Sequence, residues 1–590
     1  MTGALTTPHP LATAAGMEVL DKGGTASEAL IAAGAVLTVV MPHFCGLGGD
    51  AVWLVVDRHG KQSCFLAIGQ GIDRAAPKAP FPTRGPGSIL TTAAVVDGWD
   101  HAFRHAQTAL GGRAHWEDLL APAVALAENG FAVSPSQAFW GAFRASQSIC
   151  WPGFGAIYMQ AECPLPAGHR LRQPALAESL RQIAAGGAAA FYHGALSRRI
   201  VEGLRSAGAT ISADDLAQTR TREATPLCLP YRDMTLLAPP PPTQGVTTLQ
   251  IMGILSRFDL SGLAAGSADH LHLCVEAVKR AFLERGTIAD PAFAPQDSAA
   301  ALADARLGRL SEGIDPRAAL PWPHLWQHGD TVFLGAIDAQ GNADSVLQST
   351  YFDWGSGVVA GDTGIIWQNR GAAFDSDPAH PNAFATGKLP FYTLNPGIAL
   401  RNGRPHLVYG TQGADGQPQT LSMLLTRLID FAQSPQEALD GPRFLLGKTF
   451  SDSRDSLKLE ADTSAETIAT LSGRGHEISL IPAKSPLAGQ AGIVRADAAG
   501  CTAWHDPRAQ SADTPAQPAI SVPARALVNT KAPRLPAPAI GWHALIGDPD
   551  ASGHRAALPE YVDGNTAAWI PVSADPQPGR LKELRKPPPD

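Results

Sequence analysis

The chain has 590 residues, 45% hydrophobic and 17% charged, enough apolar content to bury a large core and unlike a disordered, collagenous or coiled-coil protein. Its 46 Lys and Arg stand against 54 Asp and Glu, a net charge of −8, which disfavours nucleic acid and anionic membranes as partners. Seven cysteines, odd in number and without a Cys-x-x-Cys pair, indicate neither a disulfide framework nor a zinc cage and fit a reducing compartment.

The opening MTGALTTPHPLATAAG has neither the basic nor the apolar segment of a signal peptide, and no run approaches the ~20 apolar residues of a membrane span. These features predict a soluble, cytoplasmic protein. Residues 11–20 have apolar positions at helical spacing and stop at Gly23-Gly24. Thr25 and Glu28 form a capping-box pattern ahead of Ala26–Val40, a stretch apolar on nearly all sides that suits a helix buried between layers, and Pro42 closes it. Residues 51–56 and 62–68, joined by Asp57-Arg-His-Gly60, predict a hairpin. Ala-rich helices follow at 116–128, 174–185 and 267–284.

Residues 286–330 lose periodicity and read as a long surface connection ending in Trp326-Gln-His-Gly-Asp330. From residue 514 onward 14 prolines fall in 77 residues, against 49 in 590 overall, which predicts a loosely packed tail. Between these segments lies a second hairpin: a strand over 331–337, a turn over 338–342 and a returning strand over Ala343–Tyr351. With Ile337 and Ala343 as the last pair, Ser349 falls opposite Thr331. Opposed Cβ atoms lie ~4.5–5.5 Å apart, so the Ser349 hydroxyl is within reach of the hydroxyl or the backbone nitrogen of Thr331. Taken alone, this is an ordinary Thr–Ser cross-strand pair.

The surroundings change that reading. HPLATAAGMEVLDKGGTASEALIAAG at 9–34, PHFCGLGGD at 42–50, PPPPTQG at 239–245, TVFLGAIDAQGNA at 331–343, WGSGVVAGDTGI at 354–365 and YGTQG at 409–413, in that order, resemble the γ-glutamyltranspeptidase family of N-terminal-nucleophile hydrolases. The resemblance runs from about residue 8 to 512. It implies an α+β fold, a four-layer αββα sandwich, and cleavage of the Asp330–Thr331 bond. The products would be a large subunit, 1–330, and a small subunit, 331–513, that stay associated, with 514–590 as the tail; a dimer of the cut pair is left open. Thr331 would be the nucleophile, since the freed α-amine, with a reference pKa of ~7.7–8.0, accepts its hydroxyl proton near neutral pH. Ser349 matches the position that steadies this Thr. Gly413 and Ala414 match the two successive backbone N–H groups of the oxyanion hole, with Ala414 in place of the usual second Gly.

The sequence departs from the γ-glutamyl pattern where that substrate is held. The Arg position falls near Gln70, the Asn becomes Tyr351, the Asp becomes Ala373, and the Ser pair becomes Tyr392-Thr393. A buried substrate ammonium without an acid would cost several kcal/mol. Arg370 stands where Gln is usual, and Tyr351, Phe391 and Tyr392 crowd the pocket. This wording resembles the oxamate amidohydrolase branch and points to a small amide bearing a carboxylate, clamped by Arg370. The alternatives are a γ-glutamyl hydrolase or transferase acting on glutathione-like substrates, and a non-catalytic binding module; for Arg370, a structural ion pair.

No cofactor and no metal are expected. His43 and Cys45 lie two apart on one loop, a poor catalytic pair; GLGGD at 46–50 lacks dinucleotide-site spacing and reads as a packing turn; His270, His272 and Glu276 sit on an Ala- and Leu-rich stretch where core residues outnumber ligands.

Overall fold

The computed structural model describes residues 2–77, 80–322, 330–448 and 454–509, together with the backbone of 561–562 and 566–567. The tail expected over 514–590, those four backbone positions apart, and the connection from 323 to 329 lie outside the described residues.

Two six-stranded sheets form the centre. In chain order their strands are β1 (Ala4–Thr6), β2 (Asp50–Val56), β3 (Gln62–Ala67), β4 (Arg222–Ala224), β5 (Leu227–Tyr231), β6 (Met234–Ala238), β7 (Asp330–Ile337), β8 (Ala343–Tyr351), β9 (Gly397–Arg401), β10 (Arg404–Thr411), β11 (Ala491–Asp497) and β12 (Gly500–His505). The first sheet runs β1-β7-β8-β2-β3-β4 and the second β12-β11-β10-β9-β6-β5, with antiparallel pairing throughout. Both expected hairpins form, as β2–β3 and β7–β8.

Strand alternation divides the core into layers. Val52, Leu54, Val56, Phe333, Ile337 and Leu347 join Ile398, Val408 and Val494 in one cluster between the sheets. Their neighbours Trp53, Val55, Val332, Leu334 and Val346 belong to a second cluster shared with the helices of the first 220 residues. A third cluster joins Leu229, Leu236, Ala399 and Leu407 to the helices Gly245–Leu255, Ala268–Arg285 and Gln417–Ile429. Helix, sheet, sheet, helix is the αββα order, and the fold is α+β as expected. Strands from both sides of residue 330 lie side by side in each sheet, so the two expected subunits share one core.

The helix Ala26–Val40 is buried along its whole length, as an all-round apolar stretch requires. Thr25 Oγ1 accepts from Glu28 N at 3.2 Å and Glu28 Oε2 accepts from Thr25 N at 2.8 Å, the capping box, worth ~1 kcal/mol. Pattern reading also finds the later helices, Trp116–Asn129, Pro174–Gly186 and Ala268–Arg285. The stretch read as an aperiodic connection contains two short helices, Ser298–Ala301 and Asp304–Glu312. Among the described residues no helix is long and apolar enough to cross a membrane.

Candidate active site

The inter-sheet face carries apolar side chains until the strand ends, where polar residues take over on three adjacent strands. Alternation from Phe333, Leu347 and Val52 places Thr331, Ser349 and Asp50 on that face. Ser349 pairs with Asp50, and the β7–β8 register follows the expected sequence of pairs as far as Val332↔Gln348. It then breaks: Asp330 pairs with Tyr351, so Ser349 and Thr350 together oppose Thr331. A β-bulge therefore replaces the simple Thr331–Ser349 pair.

In the continuous chain the Thr331 hydroxyl is buried and, among the described residues, has no hydrogen-bond partner. The hydroxyl-to-hydroxyl contact foreseen with Ser349 is not made, because the bulge offsets the two residues. Ser349 Oγ instead accepts from Tyr351 N at 2.8 Å. That bond stabilises Tyr351 in a left-handed backbone conformation, φ 81°, which is costly for an aromatic residue and characteristic of constrained sites. Beyond it, Asp353 is bound through both oxygens by Arg144 at 2.7 and 2.8 Å and by Arg84 at 2.9 Å. Burial alone would raise the Asp353 pKa, but the two guanidinium groups hold it down at about 2.

Tyr351 forms one wall for Arg370. The Arg370 guanidinium carbon lies 3.7 Å from the Tyr351 ring centroid and 3.6 Å from that of Tyr392, so the plane is stacked on both faces. Arg370 is fully buried, and among the described residues Nε, Nη1 and Nη2 all lack a hydrogen-bond partner. It is therefore not the structural ion pair that was one reading of it. Burial pushes the Tyr351 phenol up to about 12, against the opposing influence of the Arg370 charge. The Tyr392 hydroxyl donates to Asp50 Oδ2 at 3.0 Å, while Asp50 Oδ1 accepts from Gly69 N and Ala94 N, each at 2.9 Å. Burial raises the Asp50 pKa to about 6, against these hydrogen bonds, so it is mainly ionised at neutral pH. The neighbouring Thr393 hydroxyl is also buried without a partner. Buried orphan polar atoms are scarce in folded proteins; here Thr331, Arg370 and Thr393 supply five within one connected group.

The loop after β10 forms the opposite side. Phe333 lies against Gly410, where a Cβ would meet its ring at 2.3 Å, so the strand bearing Thr331 packs closely on the strand leading to Gly413. Gly413 (φ 121°) and Ala414 (φ 44°) are both left-handed, and among the described residues neither N–H has a hydrogen-bond acceptor. Two free, successive N–H groups are the means of holding an oxyanion. Gln244 fastens this loop: its Nε2 donates to Ala414 O at 2.8 Å and to Thr393 O at 2.7 Å, joining the two sides of the site. Arg285 donates to Gln244 Oε1 at 3.3 Å and holds Asp415 through two contacts of 2.6 and 2.7 Å.

The family model described as gamma-glutamyltranspeptidase matches residues 12–516. The chain belongs to the γ-glutamyltranspeptidase family. It is 41% identical over 499 residues to the oxamate amidohydrolase proenzyme of Klebsiella pneumoniae, covering 83% of this chain and 94% of that protein. It is 37% identical over 517 residues to the glutathione hydrolase-like YwrD proenzyme of Bacillus subtilis, covering 86% and 97%. The crystal structure of cephalosporin acylase from Bacillus halodurans superposes with a TM-score of 0.78 at 28% identity, covering 86% of this chain and 94% of that one. Amidohydrolase, glutathione hydrolase and acylase are one reaction class, and the chain is an amide hydrolase of this family.

Within that family framework, Thr331, Ser349, Tyr351, Arg370, Tyr392, Thr393, Gly413 and Ala414 fall in one connected region. Gln70 does not join them through any hydrogen bond: its backbone N–H donates to Thr92 Oγ1 and its side chain to Gln218 O. GLGGD is a packing turn, as read: a Cβ on Gly49 would meet Ser349 O at 2.5 Å. Its last residue, Asp50, belongs to the site, which the motif by itself does not reveal. The available signal was an acid in register with Val52, Leu54 and Val56, where alternation calls for an apolar side chain. Gln244, inside PPPPTQG, carries no local signal of its role, because its two acceptors lie 149 and 170 residues away.

His43 Nε2 lies 3.0 Å from Ser136 Oγ, and burial pushes the Cys45 thiol far above its ordinary range, so neither is poised for catalysis. His272 and Glu276 do meet His476 in the one potential metal-ligand group among the described residues. Their donor atoms are already engaged: His272 Nδ1 with His476 Nε2 at 2.9 Å, and Glu276 Oε1 with Lys279 Nζ at 2.8 Å. A lysine ammonium in contact with the only carboxylate opposes a cation there.

Proposed function

We propose that this chain is a self-processing amidohydrolase that cuts itself between Asp330 and Thr331 and hydrolyses a small carboxylate-bearing amide such as oxamate. The observation that carries the substrate assignment is Arg370: both faces are covered by tyrosine rings while its N–H groups are unpartnered. Only the guanidinium edge remains, and an edge presents paired donors to a planar carboxylate. The 41% identity to a protein named oxamate amidohydrolase proenzyme agrees with this reading, and the proenzyme names support the cleavage.

In maturation the Thr331 hydroxyl attacks the Asp330 carbonyl, the C–N bond breaks to leave an ester, and water opens it to give a free Asp330 carboxylate and a free Thr331 amine. In turnover that amine takes the hydroxyl proton as Oγ1 bonds to the amide carbon. Gly413 and Ala414 N–H groups hold the developing oxyanion. Collapse expels ammonia, which takes the proton from the ammonium, and leaves an oxalyl ester on Thr331. Water, deprotonated by the same amine, then releases oxalate. Arg370 orients the carboxylate throughout, and Tyr351, Tyr392 and Thr393 shape a pocket for a short acyl group. The two cut chains remain together because they share both sheets. The protein works in the cytoplasm.

A panel comparing oxamate with glutathione tests the assignment. Ammonia release from oxamate with little glutathione hydrolysis is expected, and robust γ-glutamyl release without oxamate turnover would reverse the ranking.

A further inference from the structure

Arg370 is held in an unusual way for a buried cation. No carboxylate or carbonyl among the described residues fixes its plane, so the Tyr351 and Tyr392 rings set its orientation. Tyr351 is fixed through its backbone by Ser349. The Tyr392 backbone is held by Pro242 O and Gln244 N at 2.8 and 3.0 Å, but a ring on a fixed backbone still turns about its side-chain bonds. What anchors the far end of that ring is Asp50.

We infer that Asp50 is a positioning residue for specificity: through the Tyr392 hydroxyl it fixes the ring on which Arg370 lies and so sets the preference for anionic over neutral amides. This rests on the carboxylate reading of Arg370. Asp50 is suited to the task because it is fully buried. Its Oδ1 is held by Gly69 N and Ala94 N, from two separate segments, and its Oδ2 receives Tyr392 Oη. Three of a carboxylate's roughly four acceptor sites are thus occupied, which leaves Asp50 ill-suited to bind a substrate amine itself.

The test uses the mature enzyme with oxamate and with oxamide, its uncharged counterpart. Tyr392→Phe keeps the ring and removes the tether. The KM for oxamate is expected to rise about tenfold, the scale of one charge-assisted hydrogen bond, and the KM for oxamide by a clearly smaller factor. Asp50→Asn, which still accepts a hydrogen bond, is expected to fall between wild type and Asp50→Ala. An unchanged oxamate KM in Tyr392→Phe, or equal losses for both amides, would overturn the inference. If Asp50→Ala does not mature, Tyr392→Phe still decides. Should wild type turn over a γ-glutamyl amide and no oxamate, the substrate reading fails separately. A raised γ-glutamyl KM in Tyr392→Phe would then uphold the tether, and an unchanged one would overturn it.

Discussion

Arg370 and Tyr392 lie face to face, with the guanidinium carbon 3.6 Å from the ring centroid. Stacking fixes the plane of the cation while leaving its edge open, a geometry that lysine does not reproduce because an ammonium is a point charge. Arg370→Lys is therefore expected to raise the KM for oxamate about as much as Arg370→Ala, roughly 10–100-fold for a lost charge-assisted contact of ~1.5–3 kcal/mol, with a much smaller change in kcat. Steady-state kinetics on both variants check this.

Gln244 joins the two sides of the site through Thr393 O and Ala414 O. Gln244→Leu keeps much of the volume and removes both bonds, freeing the turn that presents the Gly413 and Ala414 N–H groups. The expected loss is in kcat, about 10–100-fold, within the range seen when an oxyanion donor is disturbed, with KM little altered. The kcat-to-KM split in steady-state assays separates this from a general loss of fold.

Ser349 Oγ supports Tyr351 N beside the bulge that offsets Thr331. Ser349→Ala removes this support while leaving the nucleophile in place. Cleavage at Asp330–Thr331 is expected to slow about tenfold or more, by the cost of one lost buried hydrogen bond, without being abolished. A time course on denaturing gels reads the rate.

Asp344 offers a prediction about stability. It is fully buried with one oxygen on Ser27 Oγ at 2.6 Å and the other unpartnered, and burial raises its pKa from 3.8 to about 8. The folded chain therefore holds a proton that the unfolded chain has released at neutral pH. The stabilising contribution is complete below about pH 3.8 and is lost as pH rises to about 8, at up to roughly 1.4 kcal/mol per pH unit. Asp344→Asn removes that dependence. Thermal unfolding between about pH 5 and pH 9 is expected to show wild-type Tm falling more steeply than that of the variant.

Local chemistry made much of this molecule legible. The Thr25–Glu28 capping box, the all-apolar Ala26–Val40 and the two hairpins each follow from residues close in sequence. The β7–β8 register could be read from its turn as far as Val332. It fails at Thr331 because the bulge is fixed by the left-handed Tyr351 and its Ser349 contact, which the turn does not encode. Asp50 was hidden for another reason. An acid at the start of a strand is unremarkable until the partner sheet shows which face is interior, and its partners Gly69, Ala94 and Tyr392 lie far apart in sequence. Gln70 rests on the resemblance alone; its own hydrogen bonds run to Thr92 and Gln218.

The most direct measurement is intact-mass spectrometry of the purified protein immediately after mixing with oxamate. The expected spectrum contains a chain beginning at Thr331, a fraction of it heavier by one oxalyl group, and Thr331→Ala shows neither cleavage nor adduct. Full-length, uncut protein that releases ammonia from oxamate at the wild-type rate would contradict the assignment of Thr331 as the nucleophile.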